Sequence, residues 1–106
     1  MLGAPSLVRM AETWTSFVAE CFWVGVKDHH LSALDRRVHA CVAGMALDGE
    51  SVLYLGSVLM REDEVVLCFF EGTATTVRRA AVRAGVPFER IVETTRSSAS
   101  MRITDT

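Results

Sequence analysis

Val52-Leu53-Tyr54-Leu55-Gly56-Ser57-Val58-Leu59-Met60, followed by Arg61-Glu62-Asp63-Glu64 and then Val65-Val66-Leu67-Cys68-Phe69-Phe70, is the stretch that decides the fold. Two runs of β-branched, aromatic and aliphatic residues flank a charged segment about as long as a hairpin turn allows, which predicts two strands paired antiparallel. Successive side chains of a strand point to opposite faces, so a sheet covered on one side and wet on the other alternates apolar with polar residues. Here both alternating sets are apolar. If helices cover one face, the other needs a cover of its own.

Outward from the hairpin, the remaining elements fall into place. Upstream, Ser16-Phe17-Val18-Ala19-Glu20-Cys21-Phe22-Trp23-Val24-Gly25 has the composition of a strand with a single charge and ends on glycine. Between it and the hairpin, Leu31, Leu34, Val38, Cys41, Val42 and Met45 recur at three- and four-residue steps, which predicts a helix. Asp28 is the expected cap of that helix and Asp48-Gly49 its stop. Downstream, a second helix from Thr73 carries Val77, Ala80, Ala81 and Ala84 on one face, and Gly85 and Pro87 end it. A last strand is expected from about Arg90 to Thr95.

Strand, helix, strand, strand, helix, strand is the split βαβ order. The expected class is α+β, ferredoxin-like βαββαβ, with a four-stranded antiparallel sheet and two helices on one face. A chain of 106 residues, half of them hydrophobic, suits one compact domain. Residues 1–15 read as an N-terminal extension, 16–95 as the domain, and 96–106 as a polar, serine- and threonine-rich tail expected to fray or dock loosely. The simplest cover for the second sheet face is the same face of another copy, so a homodimer is expected.

Charge and cysteine content narrow the function classes. The eleven Lys and Arg are scattered among thirteen Asp and Glu, for a net charge of -2, which argues against a nucleic-acid partner. No run reaches membrane-spanning length, and residues 1–14 lack the apolar core of a secretory signal, so a cytoplasmic protein away from the membrane is expected. Cys21, Cys41 and Cys68 are odd in number, far apart and set in apolar segments, as fits reduced, buried thiols.

Two sets of residues carry candidate chemistry. Glu20, Ser57 and Cys68 are polar residues inside otherwise apolar strands. If the register brings them together they form one polar spot in an oily ligand pocket. The structural alternative has Ser57 bonded to backbone, Cys68 packed as a small hydrophobe and Glu20 paired at an edge with Arg90 or another cation. His29, His30, Asp35 and His39 form a second, metal-ligating set: Asp35 and His39 are four apart on one helix face and would share a divalent metal, or form a surface ion pair. The adjacent histidines suit a solvated helix entrance equally well. Arg78, Arg79 and Arg83 offer either an anion site or a solvated helix face, and Trp14 and Trp23 suit core or dimer anchors.

The segments Tyr54-Leu55-Gly56-Ser57, Glu62 to Glu64, Cys68-Phe69-Phe70-Glu71 and Arg83-Ala84-Gly85-Val86-Pro87-Phe88-Glu89-Arg90-Ile91 resemble a bacterial domain-of-unknown-function family of ferredoxin-like proteins related to a nickel-binding protein. The resemblance spans roughly residues 16 to 93 and implies a dimeric α+β barrel or sandwich. Nickel-related members show a histidine before the serine of the second strand and another within the second helix. Gly56 and Ala80 stand at those places here.

Three functional classes follow. The first is a module binding a small apolar ligand, with no cofactor; the second is a protein binding nickel or another divalent metal; the third is a small cofactor-free enzyme such as an oxygenase, isomerase or cyclase. Convergent catalytic groups are missing from view, so the reading leans to the first and away from an enzyme.

Overall fold

The computed structural model describes residues 13–97. Strand β1 (Thr15–Phe22) is followed by helix α1 (Asp28–Leu47), the hairpin β2 (Leu53–Met60) and β3 (Val65–Gly72), helix α2 (Ala74–Arg83) and strand β4 (Arg90–Thr94). The strands form one sheet in the order β2-β3-β1-β4, with every neighbouring pair antiparallel. This is the ferredoxin-like α+β arrangement. The expected N-terminal extension and polar tail fall largely outside the described residues.

One face of the sheet meets both helices. Phe17, Ala19 and Cys21 of β1, Tyr54 of β2, and Val66, Cys68 and Phe70 of β3 are buried there. Leu34, Val38 and Met45 of α1 and Val77, Ala80 and Ala81 of α2 close over them. The alanines keep α2 near the sheet, since a short side chain brings two backbones closer than a leucine permits.

The helix ends differ from one another in ways the sequence partly shows. At α2, Thr73 Oγ1 accepts the Thr76 N–H and Thr76 Oγ1 accepts the Thr73 N–H, both at 3.2 Å, a reciprocal cap that satisfies two otherwise orphaned donors. Its far end is held from α1, where Arg37 donates Nε to the Ala84 carbonyl at 3.0 Å and Nη2 to the Gly85 carbonyl at 3.3 Å. Asp28 is not the cap of α1. Lys27 holds that position, its N–H donated to His30 Nδ1 at 2.8 Å, while the Asp28 carboxylate, already in the first turn, takes Arg61 at 2.7 Å.

β1 also ends sooner than its composition suggests. The regular strand stops at Phe22, although Trp23 still donates its N–H to the Glu64 carbonyl at 2.9 Å; at Gly25 a φ of +76° and an N–H bound to Glu64 Oε2 turn the chain away.

The register contains one irregularity, and it falls in β2. Tyr54 pairs with Phe70, but Gly56 rather than Leu55 pairs with Phe69, so Leu55 is an extra residue. One extra residue reverses the in–out alternation beyond it. Tyr54 and Ser57, three apart, therefore point to the helix side, while Leu53, Leu55, Val58 and Met60 point away. Gly56 has φ of +111°, a conformation open to glycine and costly to any residue with a Cβ.

Gly56→Ala should therefore destabilise the fold by about 1–3 kcal/mol in urea denaturation, although nothing lies within 4 Å of the added methyl. An unchanged midpoint would mean the bulge tolerates ordinary backbone geometry.

Candidate functional site

The residues expected to form a polar spot are divided by the sheet. Ser57 and Cys68 are direct cross-strand partners on the helix side. Glu20 pairs with Leu67 and Arg90 in register, on the opposite face. There Arg90 Nε, on edge strand β4, donates to its carboxylate at 2.6 Å, so Glu20 sits in an ion pair on an inner strand and does not meet the other two. Cys68 is completely buried. Its hydrogen bond with Cys21, and then burial, push its thiol well above the ordinary range, which makes it a poor nucleophile.

Ser57 instead belongs to a constellation with a different centre. Asp35 Oδ1 accepts a hydrogen bond from Tyr54 Oη at 2.5 Å and another from Ser57 Oγ at 2.8 Å. The two hydroxyls reach the same carboxylate because the bulge puts Tyr54 and Ser57 on one face and α1 lays Asp35 across it. The Tyr54 ring lies between Phe70 and His39, each with its centroid 5.1 Å away. Burial, and then the bond to Asp35, push the Tyr54 phenol far above the usual tyrosine range. These groups clasp α1 to β2.

The metal-ligating set is spread along α1. His29 and His30 rings lie 4.2 Å apart at its start, and His30 also stacks on Trp23. His30 Nδ1 is engaged with the Lys27 N–H, Asp35 with two hydroxyls, and His39 lies edge-on to Tyr54. Among the described residues, no three His, Cys, Asp or Glu side chains converge as metal ligands. The arginines of α2 are likewise engaged in part, Arg79 with Glu50 and Arg78 over the Phe88 ring.

The other candidate lies on the sheet face that carries no helix among the described residues. Rows in register across the sheet place Gly56, Phe69, Val18 and Val92 side by side, with the unpaired Leu55 next to Gly56, Val58 and Leu67 in the next row, and Met60, Val65 and Phe22 beyond. This face is apolar across β2 and β3. Its polar members sit on β1 and β4 and at one end of β3: Glu20 with Arg90, and Glu71, which accepts from Ser16 Oγ at 3.4 Å and Arg96 Nη1 at 3.2 Å.

At that end a cleft of about 440 Å³ opens between the strands. Val18, Leu55 and Phe69 contribute to its floor, and Ser16, Thr94, Thr95 and Arg96 to its rim. Such a volume falls in the range of small-molecule sites.

No family model, curated protein or solved structure matches the chain. No helix among the described residues is long and apolar enough to cross a membrane.

Sequence reasoning missed Tyr54 as the partner of Asp35, and it expected the ligand cleft around Glu20, Ser57 and Cys68, none of which lines the cleft on the open face. The available signal was Gly56, since an isolated glycine within a strand pattern points to a bulge.

The clasp has a signature in alkali. An unfolded tyrosine ionises near pH 10, whereas folded Tyr54 holds its proton above that, so its contribution is complete below about pH 10 and is lost as pH rises further. Urea denaturation should show stability falling from about pH 10 to 11.5, with Tyr54 adding up to about 1.4 kcal/mol per unit. Tyr54→Phe, less stable by about 1–2 kcal/mol at neutral pH, should fall less steeply; equal slopes would contradict a clasped phenol.

Proposed function

We propose that the chain is a homodimeric binding module, in which the open faces of two sheets pack together and close the cleft over a small, largely apolar molecule. The observation that carries this reading is the open face itself: a continuous apolar surface with a cleft at one end. Leu53, Leu55 and Val58 are nearly half exposed there and Phe22 is 59% exposed, an unfavourable arrangement for an isolated chain in water.

Magnitudes support a second copy as the cover. Four strands about 4.8 Å apart and about eight residues long present a footprint of roughly 500 Å². A corrugated surface has more accessible area than its footprint, which moves the value toward the ~800 Å² per partner of a standard interface. At about 25 cal/mol per Å² of apolar area, and with Glu20, Arg90, Glu71 and Arg96 taking part of each footprint, burying two such faces is worth well under roughly 25 kcal/mol, the same order as the roughly 4–15 kcal/mol lost on association. A face of this size is compatible with a dimer. A dimer is also what the resemblance to the nickel-related ferredoxin-like family implies.

The ligand reading rests on the lining of the cleft. Its floor of valine, leucine and phenylalanine suits an aliphatic or aromatic body, and its hydroxyl-bearing rim suits a polar group at one end. Its apolar floor and hydroxyl rim support a reading of binding. The three free thiols suit a reducing compartment, and a cytoplasmic setting is part of the proposal.

Sedimentation velocity in the micromolar range and native mass spectrometry of the untagged protein test it together. The wild type is expected as a dimer retaining a small molecule. Val58→Lys with Leu67→Lys should give a folded monomer without it, while Val82→Lys, on an exposed position of α2, should leave the dimer intact. A monomeric wild type, or a double variant that still dimerises, would overturn the interface. A dimer that retains nothing would leave the interface standing and remove the support for a ligand.

A further inference from the structure

Among the described residues, the charged side chains on the open face are balanced two against two. Glu20 is matched by Arg90, and Glu71 by Arg96. The second pair lies at the cleft itself, with Arg96 on the rim and Glu71 beside it taking a further hydrogen bond from Ser16. Glu71 is only 26% exposed at its side chain, against 61% for Arg96. The carboxylate therefore depends on the guanidinium more than the reverse.

From this balance we infer that the cleft takes an electrically neutral ligand, an aromatic or aliphatic body bearing a hydroxyl or carbonyl, and discriminates against carboxylates and amines of the same shape. The inference rests on the reading of the cleft as a ligand site.

A carboxylate entering the cleft has Arg96 as its nearest cationic partner there. Taking Arg96 would loosen its hold on Glu71, which is 26% exposed at its side chain, so the new pair is offset by the one it weakens. An ammonium faces the mirror problem, because Glu71 is already neutralised. Either ion also gives up its own hydration against Val18, Leu55 and Phe69. A hydroxyl or carbonyl has neither difficulty. Thr94 and Thr95 provide hydroxyls that both donate and accept, and Ser16, whose proton goes to Glu71, can still accept, so a neutral polar group is satisfied without disturbing the ion pair.

Three probes sharing one ring system test the inference on the full chain: naphthalene-ethanol, naphthalene-acetate and naphthalene-ethylamine. Binding is followed at neutral pH through the methyl resonances of Val18 and Leu55. The alcohol is expected to bind at least about tenfold tighter than either ion. Two variants should shift this order in opposite directions: Arg96→Met, which leaves a net negative charge, should favour the amine, and Glu71→Gln, which leaves a net positive charge, should favour the acetate.

Tightest binding of the acetate to the wild type would overturn the neutrality inference while leaving the cleft as a ligand site, and so would equal affinity for all three. If none of the probes moves the Val18 and Leu55 signals, the ligand reading of the cleft falls, and the inference with it.

Discussion

The single extra residue in β2 is the constraint on which the rest of the structure depends. Leu55 interrupts the pairing with β3, and everything beyond it in the strand changes face. On the helix side this brings the Ser57 hydroxyl beside that of Tyr54, so that one carboxylate on α1 accepts from both. On the other side it aligns Leu55, Val58 and Met60 into a single apolar edge. A regular strand would put Ser57 among those apolar side chains and turn Val58 toward the Asp35 carboxylate. The clasp and the apolar face are two results of one local distortion, and Gly56 is the residue that permits it.

The sequence carried the architecture well because the architecture depends on periodicity. Of the α1 residues recurring at three- and four-residue steps, Leu34, Val38 and Met45 are buried in the core while Leu31, Cys41 and Val42 pack against it, and Val77, Ala80 and Ala81 are buried from α2. Apolar residues on both sides of β3 likewise foretold a sheet with two apolar faces. The candidate sites were harder to read because they depend on register, which no single strand reveals. Glu20 and Cys68 look alike as isolated polar residues in apolar strands, yet strand parity sends them to opposite faces. Asp35 was noticed for its spacing from His39 along the helix, whereas its actual partners come from a strand that the bulge has re-phased. The cap of α1 shows a further limit: Asp28 is the better capping residue by type, but an exposed pairing with Arg61 draws it elsewhere.

The two faces of the sheet are completed by different means. Toward the helices, cysteine and alanine side chains fill the space between larger residues and the core is closed within the chain. Away from them the same strands present leucine, valine, methionine and phenylalanine, with charges confined to internally matched pairs on β1, β4 and the end of β3. Such a surface has little to repel a copy of itself, and the cleft at its end becomes an enclosed space only when something lies across it. The proposed dimer and the proposed ligand site are in this sense one arrangement.

The most direct measurement is an isotope-filtered nuclear Overhauser experiment on a mixture of labelled and unlabelled chains, which detects contacts only between different copies. Contacts between copies at the Val18, Val58 and Leu67 methyls are the predicted result, because those side chains face outward from the sheet at its centre. Their absence, or contacts arising instead from the outer surface of α2, would contradict the claim that the open sheet face is where two copies meet.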